Sequence, residues 1–293
     1  LAGACQMGSH IVALALSSWA LAVTWGSALA IPVFVIQGVL LNYLFAAQHE
    51  LNHYTAFKTR WPNDFFNRIT GFIQIYPRSY ERWYHFEHHR HTQDWDNDPE
   101  LLSRGGPYTL GTYLPYLFGI TYWTSRIKRT VMVALGDVPH YYTDQQRSTV
   151  IAEARWHWVG YALVAAVSLA FESWAAVQFW LAPMFATKVF QNVQNITEHT
   201  GLTHEADTVH NTRTIKTWAV FRWLAWNMQY HTAHHTFPAV PFHKLPELHA
   251  ELVKYAGYEP PTTGYLAFQW RFIRQLMKGP ETREGVGEVS VKN

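Results

Sequence analysis

Seventeen histidines stand among the 293 residues, and eight of them fall in three short groups with one grammar. "HELNH" contributes His49 and His53, "HFEHH" contributes His85, His88 and His89, and "HTAHH" contributes His231, His234 and His235. Spacings of three and four residues place side chains on one face of a helix, so each group can aim its imidazoles at one point. Neutral imidazole is the commonest protein metal ligand and suits iron, zinc or copper. The first group is also a literal H-E-x-x-H, in which His49 and His53 would bind zinc and Glu50 would act as base of a metalloprotease. That reading leaves the other two groups without a use. A metal transporter or sensor is a further alternative, although transporters place polar residues within the membrane, and these groups flank the apolar segments instead.

Such groups need elements to position them, and the hydropathy pattern supplies these. No Asp, Glu, Lys or Arg occurs from Leu1 to Gln48. A membrane span takes about 20 apolar residues, so this stretch is long enough for two, turning near Gly26 to Pro32. A second apolar region runs from Trp156 to Phe190, with Glu172 at its middle and Lys188 near its end. It reads as another hairpin turning at Glu172. The expected fold is therefore all-α and integral to the membrane, with two transmembrane helical hairpins, about 10–48 and 156–190. The polar segments 49–155 and 191–280 form a helical cap carrying the histidine groups. The whole of 1–280 reads as a single domain. Twelve Lys and Arg lie between Lys58 and Arg155, ten lie between Arg213 and Lys292, and neither hairpin turn holds any. The positive-inside rule puts both polar segments, and the site with them, on the cytoplasmic side, which is the inner membrane in a bacterium. Residues 108–123, interrupted by Pro115 and Gly119, read either as an interfacial or re-entrant piece or as an ordinary buried helix. The polar stretch 281–293 is expected to be a disordered tail.

The three boxes, in this order and split around a second apolar hairpin, resemble the membrane fatty acid desaturase/hydroxylase superfamily. The resemblance covers roughly residues 30–250. It implies two irons held almost entirely by histidine, with His49, His53, His85, His88, His89, His231, His234 and His235 as ligands. Some members add a histidine after the second hairpin, preceded four residues earlier by an asparagine that contacts an iron-bound water; "NITEH" fits with Asn195 and His199. "TQDWDNDPEL" is similar to the segment that follows the second box in the family. There Asp94, Asp96 or Asp98 would orient ligand imidazoles through their free N–H. Asp98 before Pro99 also reads as a plain helix N-cap. The implied activity is O2-dependent oxidation of an unactivated C–H bond in an apolar substrate. Desaturation of a long acyl chain comes first, and hydroxylation of an acyl chain or other apolar molecule is the alternative.

The remaining composition bounds this reading. Cys5 is the only cysteine, which excludes an internal disulfide and thiolate zinc or iron–sulfur centres. Unactivated C–H bonds need an oxidant that no side chain provides, whereas iron with O2 does. Only Glu50 to His53 matches the Glu-x-x-His pair of soluble carboxylate di-iron bundles. No dinucleotide or haem-attachment motif is present, so electrons are expected from a separate ferredoxin or cytochrome b5 and its reductase. A net charge of +2 gives no support for nucleic-acid binding. Low charge with 14 Trp and 16 Tyr suits contact with a bilayer. His10, His140, His157, His204, His210, His243 and His249 are expected to be ordinary, while His91, directly after the second box, stays open. No basic n-region marks a cleavable signal, and Leu1 in place of Met is expected to mean that a few residues precede it.

Overall fold

A computed structural model describes residues 1–255 and 257–282, which are mostly helical. Helices α1 (Ala2–Thr24) and α2 (Ala30–His53) form the first hairpin, and Gly26 supplies the left-handed conformation its turn needs (φ 85°). Both are long and apolar enough to cross a membrane. Their polar side chains point inward. His10 Nε2 lies 2.9 Å from the Leu40 carbonyl, Ser17 bonds to Gln37, and Asn42 Nδ2 donates to the Met184 carbonyl at 2.8 Å. Val12, Leu16, Trp19 and Val23, one face of α1, are exposed. Water would select the opposite arrangement; a lipid surround selects this one, because a helix satisfies its own backbone and its few polar side chains find partners across helices.

Helices α3 (Arg60–Ile73) and α4 (Arg78–Arg90) follow, then α5 (Pro99–Arg104), α6 (Leu110–Leu117) and α7 (Ile120–Ala134). The 108–123 region is a broken helix pair: α6 has eight residues, and Gly119 (φ 83°) caps the start of α7. Its Tyr113 and Leu117 pack on Phe268, Phe272 and Leu276, while Phe118 and Ile120 stay exposed. The 27-residue α8 (Asp144–Ala170) starts at a capping box between Thr143 and Gln146. The chain reverses around Glu172 (φ 48°), where the apolar pattern places a turn. It returns through a π-helical segment (Val177–Leu181) into α9 (Ala182–Ala186) and α10 (Lys188–His199). At Gly38 a side chain would run into the Pro183 carbonyl, so α2 and α9 approach backbone to backbone. Exposed Trp156, Val159, Leu163 and Val167 repeat the outward apolar face on α8.

The third histidine group rides on α12 (His231–Thr236), a buried helix of six residues too short to be stable alone. Its support comes from its flanks. Strands β1 (Thr214–Ile215) and β2 (Thr262–Thr263) pair in parallel, and Thr214 also bridges to Tyr230, the residue before His231. Between them lie α11 (Ala219–Leu224) and α13 (Leu245–Tyr255). Helix α14 (Tyr265–Leu276) then braces α10: Gln269 Nε2 donates to the Val193 carbonyl (3.1 Å) and to Thr197 Oγ1 (3.2 Å). The stretch expected as a tail is anchored at its first residue, because Glu281 is buried, accepts from the Tyr108 N–H (2.9 Å) and pairs with Arg104 (3.1 Å). From residue 283 onward that stretch lies outside the described residues.

Candidate metal centre

Four helices deliver histidines to one place. The last turn of α2 carries His49 and His53; α4 carries His85, His88 and His89; α10 ends at His199; α12 carries His231, His234 and His235. The donor atoms sort into two groups. In one, His49, His53, His85, His89 and His234 each offer an atom within 4.8 Å of the others. In the second, His88, His199 and His235 do the same. His231 joins the second group through His199, Nε2 to Nε2 at 2.8 Å.

The chemistry of these donors fits a metal. Burial, and then repulsion from neighbouring imidazoles, hold His85, His89, His231, His234 and His235 well below their usual 6.5, so each is neutral with a free lone pair. His85 Nε2 lies 2.9 Å from Nε2 of both His53 and His89. His234 Nε2 lies 2.7 Å from that of His49 and 3.2 Å from that of His89. Each such nitrogen offers either one hydrogen or one lone pair, so five of them cannot all satisfy one another by hydrogen bonds. Neighbouring ligands on one metal, with bonds of about 2.1 Å at right angles, sit roughly 3 Å apart, as these do.

Outer contacts fix several rings. His88 Nδ1 donates to both Asp98 oxygens (3.0 and 3.1 Å). Burial alone would lower the His88 pKa, but Asp98 and Glu100 together push it up to about 9. Thr92 Oγ1 donates to the His88 carbonyl (2.8 Å) and therefore accepts from His235 Nδ1 (3.2 Å). That leaves His235 Nε2 with its lone pair bare, buried and without a protein partner. His199 Nδ1 donates to the Asn211 carbonyl (3.2 Å), which likewise frees its Nε2.

The sequence profile described as fatty acid desaturase matches residues 11–266. The chain belongs to the fatty acid desaturase family. It is 24% identical to the sn-1 oleoyl-lipid 12-desaturase of Anabaena variabilis, over 92% of this chain and 79% of that one. It is 26% identical to the sphingolipid delta(4)-desaturase DES1 of Drosophila melanogaster, over 87% of this chain and 76% of that one. Family membership makes it an oxidoreductase, and the outward apolar faces of its helices agree with a membrane protein.

Within this desaturase-family chain the three aspartates differ. Asp98 is fully buried and does two jobs: it bonds His88, and it caps α5 by accepting from the Glu100 N–H (2.9 Å), with Pro99 in the first turn. Asp94 and Asp96 do not reach the histidine groups. The Asp94 carboxylate is taken by the Asp96 N–H (2.9 Å) and Asn97 Nδ2 (2.8 Å), and Asp96 is exposed. Asn195 accepts from Gln191 Nε2 (2.5 Å) and faces a cavity beside the centre. Glu50 is turned away, accepting from Thr55 and from the Phe242 N–H (3.2 Å), so it is not placed as the base of a zinc protease. His91 pairs with Glu87 at 3.3 Å, His210 pairs with Asp207 at 2.5 Å, and His204 bonds the Gln93 carbonyl at 2.8 Å. Like His10, His140, His157, His243 and His249, they belong to neither metal group among the described residues.

The cavity, of about 420 Å³, runs from His49, His85, His88, His199 and His231 to a wall formed by α6 and α7. One of its residues carries no signal in the sequence. Glu198 is buried, which raises its carboxyl to about 8; it accepts from Gln194 Nε2 (2.9 Å) and lies 3.8 Å from His231 Nδ1. A single carboxylate beside a histidine has no spacing to betray it.

Proposed function

We propose that the two histidine groups hold two irons and that the protein uses O2 to desaturate a long acyl chain. His49, His53, His85, His89 and His234 would bind one iron; His88, His199, His231 and His235 would bind the other. The observation carrying this reading is the meeting of nine imidazoles, from four separate helices, at the end of one cavity. The irons, when bound, supply the oxidising power for C–H cleavage that side chains lack. The protein's own part is positional. Asp98, Thr92 and the Asn211 carbonyl hold His88, His235 and His199 with Nε2 forward. Asn195 and Glu198 stand on the cavity wall beside the second group, where Asn195 can hold a metal-bound water. The relatives' acyl-lipid and sphingolipid substrates support a lipid acyl chain as substrate.

In this reading α1, α2, α8 and the arm from 175 to 190 form the four-helix membrane base, with the rest as a cap. Apart from Lys188, the Lys and Arg residues lie at 58–155 and from 213 onward, outside both apolar hairpins, which supports a site on the cytoplasmic side, where a ferredoxin or cytochrome b5 with its reductase delivers electrons. Expression with a matched reductase should add double bonds to cellular acyl chains, and the purified protein should carry about two irons per chain. The His234→Ala variant should lose the added double bonds and about half of the metal. Unchanged unsaturation with new hydroxylated acyl products would replace desaturation by hydroxylation, and one zinc with peptidase activity would end the oxygenase reading.

A further inference from the structure

The cavity wall opposite the histidines is polar, which a slot for hydrocarbon alone does not require. Arg126, Tyr122 and Glu81 all line it. Arg126 Nη1, the Tyr122 hydroxyl and Glu81 Oε2 are buried and have no hydrogen-bond partner in the protein. Burying such groups unpaired costs roughly 1–3 kcal/mol each, more for a charge, so their retention calls for a ligand. The other charges on the wall are engaged. Arg104 pairs with Glu281, Arg129 donates to the Tyr80 hydroxyl (2.8 Å), Glu198 accepts from Gln194, and Glu100 lies 3.9 Å from His88 Nδ1. Among the described residues, Arg126 alone of the lining arginines has neither a carboxylate within 4.0 Å of its guanidinium nor a side-chain hydrogen bond.

Aromatic rings hold Arg126 in place. Its guanidinium carbon lies 3.6 Å from the Tyr76 ring centre, 4.4 Å from that of Tyr122 and 5.9 Å from that of Phe45. Lys188 Nζ, which bonds Gln191 Oε1, lies 3.7 Å from the Tyr122 ring centre. The anchor is close to the metal centre. Phe45 is one helical turn before His49 on α2, and Glu81 is one turn before His85 on α4. Burial raises the Glu81 carboxyl to about 8, so at neutral pH it is chiefly a donor, alongside Arg126 and Tyr122.

We infer that Arg126 and Tyr122, with Glu81, bind an anionic oxygen group, a carboxylate or a phosphate, at the polar end of the substrate. The inference rests on the reading of this cavity as the substrate site, and it assigns the chemistry of the end that is held. An arginine fork made rigid by stacking suits such a group.

The test is equilibrium binding of radiolabelled dodecanoate, dodecyl phosphate and dodecan-1-ol to the full iron-loaded chain in phosphatidylcholine nanodiscs. The wild-type protein should prefer at least one anion over the alcohol by about tenfold or more. Preference for dodecanoate identifies a carboxylate, and preference for dodecyl phosphate identifies a phosphate-bearing head. Arg126→Gln should abolish the preference, and Tyr122→Phe, which keeps the stacked ring, should reduce it several-fold with the alcohol unaffected. Lys128→Gln, on the exposed side of α7, should leave it intact. Equal binding of all three by the wild type, or a preference that survives both Arg126→Gln and Tyr122→Phe, overturns the inference. The two readings fail separately. Added double bonds without an anion preference sink this one alone, and an Arg126-dependent preference without any oxidised lipid sinks only the desaturase reading.

Discussion

The two histidine groups are built differently. The group around His88, His199 and His235 is held from outside: a carboxylate, a backbone carbonyl and a hydroxyl each take an outer nitrogen. Within the group of His49, His53, His85, His89 and His234 no outer nitrogen makes a hydrogen bond among the described residues, and that of His234 is buried without one. Rings in the first case are oriented by hydrogen bonds. In the second they are oriented by helix packing, with His49 and His53 on α2 facing His85 and His89 on α4 at centroid distances of 4.1 to 6.4 Å. One centre is tunable by single polar substitutions, whereas the other yields only to loss of a ligand or a helix.

The largest effect comes from removing a ligand on either side. His88→Ala or His234→Ala should abolish turnover and lower metal content by about half with helix content unchanged, read by elemental analysis and circular dichroism. Full activity in either variant would remove that residue from its group. Asp98→Asn separates the two modes of orientation. It keeps an N-cap acceptor for α5 but loses the charge on His88, and should weaken metal binding at the second group about 10- to 100-fold. A metal titration with two resolved steps would show one step moved; if both move equally, the groups are not independent.

Acidity sharpens the contrast. In the metal-free fold His88 keeps its proton up to about pH 9, against 6.5 unfolded. It therefore contributes stability that is full below pH 6.5 and is lost as pH rises through about 9. A metal has to displace that proton, so affinity at the second group should climb with pH across this window, by at most about tenfold per unit. His85, His89 and His234 are already neutral at pH 7, and the first group should be flat above it. Equal pH slopes for the two steps would contradict the assignment. The smallest effect belongs to His140→Ala, an exposed position, where activity should stay within about twofold and metal content should not change.

Spacing made much of this centre legible. Three- and four-residue intervals fix a helix face whatever the tertiary structure, which is why the histidines of each of the three boxes share one helix. The division of nine histidines into two groups was not legible, since His88 and His89 are neighbours in the chain yet belong to different groups through helix packing. Nor did composition separate three aspartates of equal promise. Asp98 is set apart by burial at a cap, while Asp94 closes a local turn. The cavity wall escaped notice for a related reason, because Arg126 is one arginine among many until Tyr76 and Tyr122 close on it. The helices of the first hairpin also outrun their expected span: α1 begins at Ala2, and α2 runs through the first box without a break.

The parallel pairing of Thr214–Ile215 with Thr262–Thr263 carries a consequence for biosynthesis. The six-residue helix with the third box is steadied by chain translated some thirty residues after it, and α10 is braced by α14, which is made later still. A nascent chain thus carries all nine clustered histidines before the strand and helix that steady them are made, which puts any metal loading after translation. A chain stopped after Pro260 retains all nine histidines and should emerge metal-poor; normal loading of that truncated product would show that the downstream brace is dispensable.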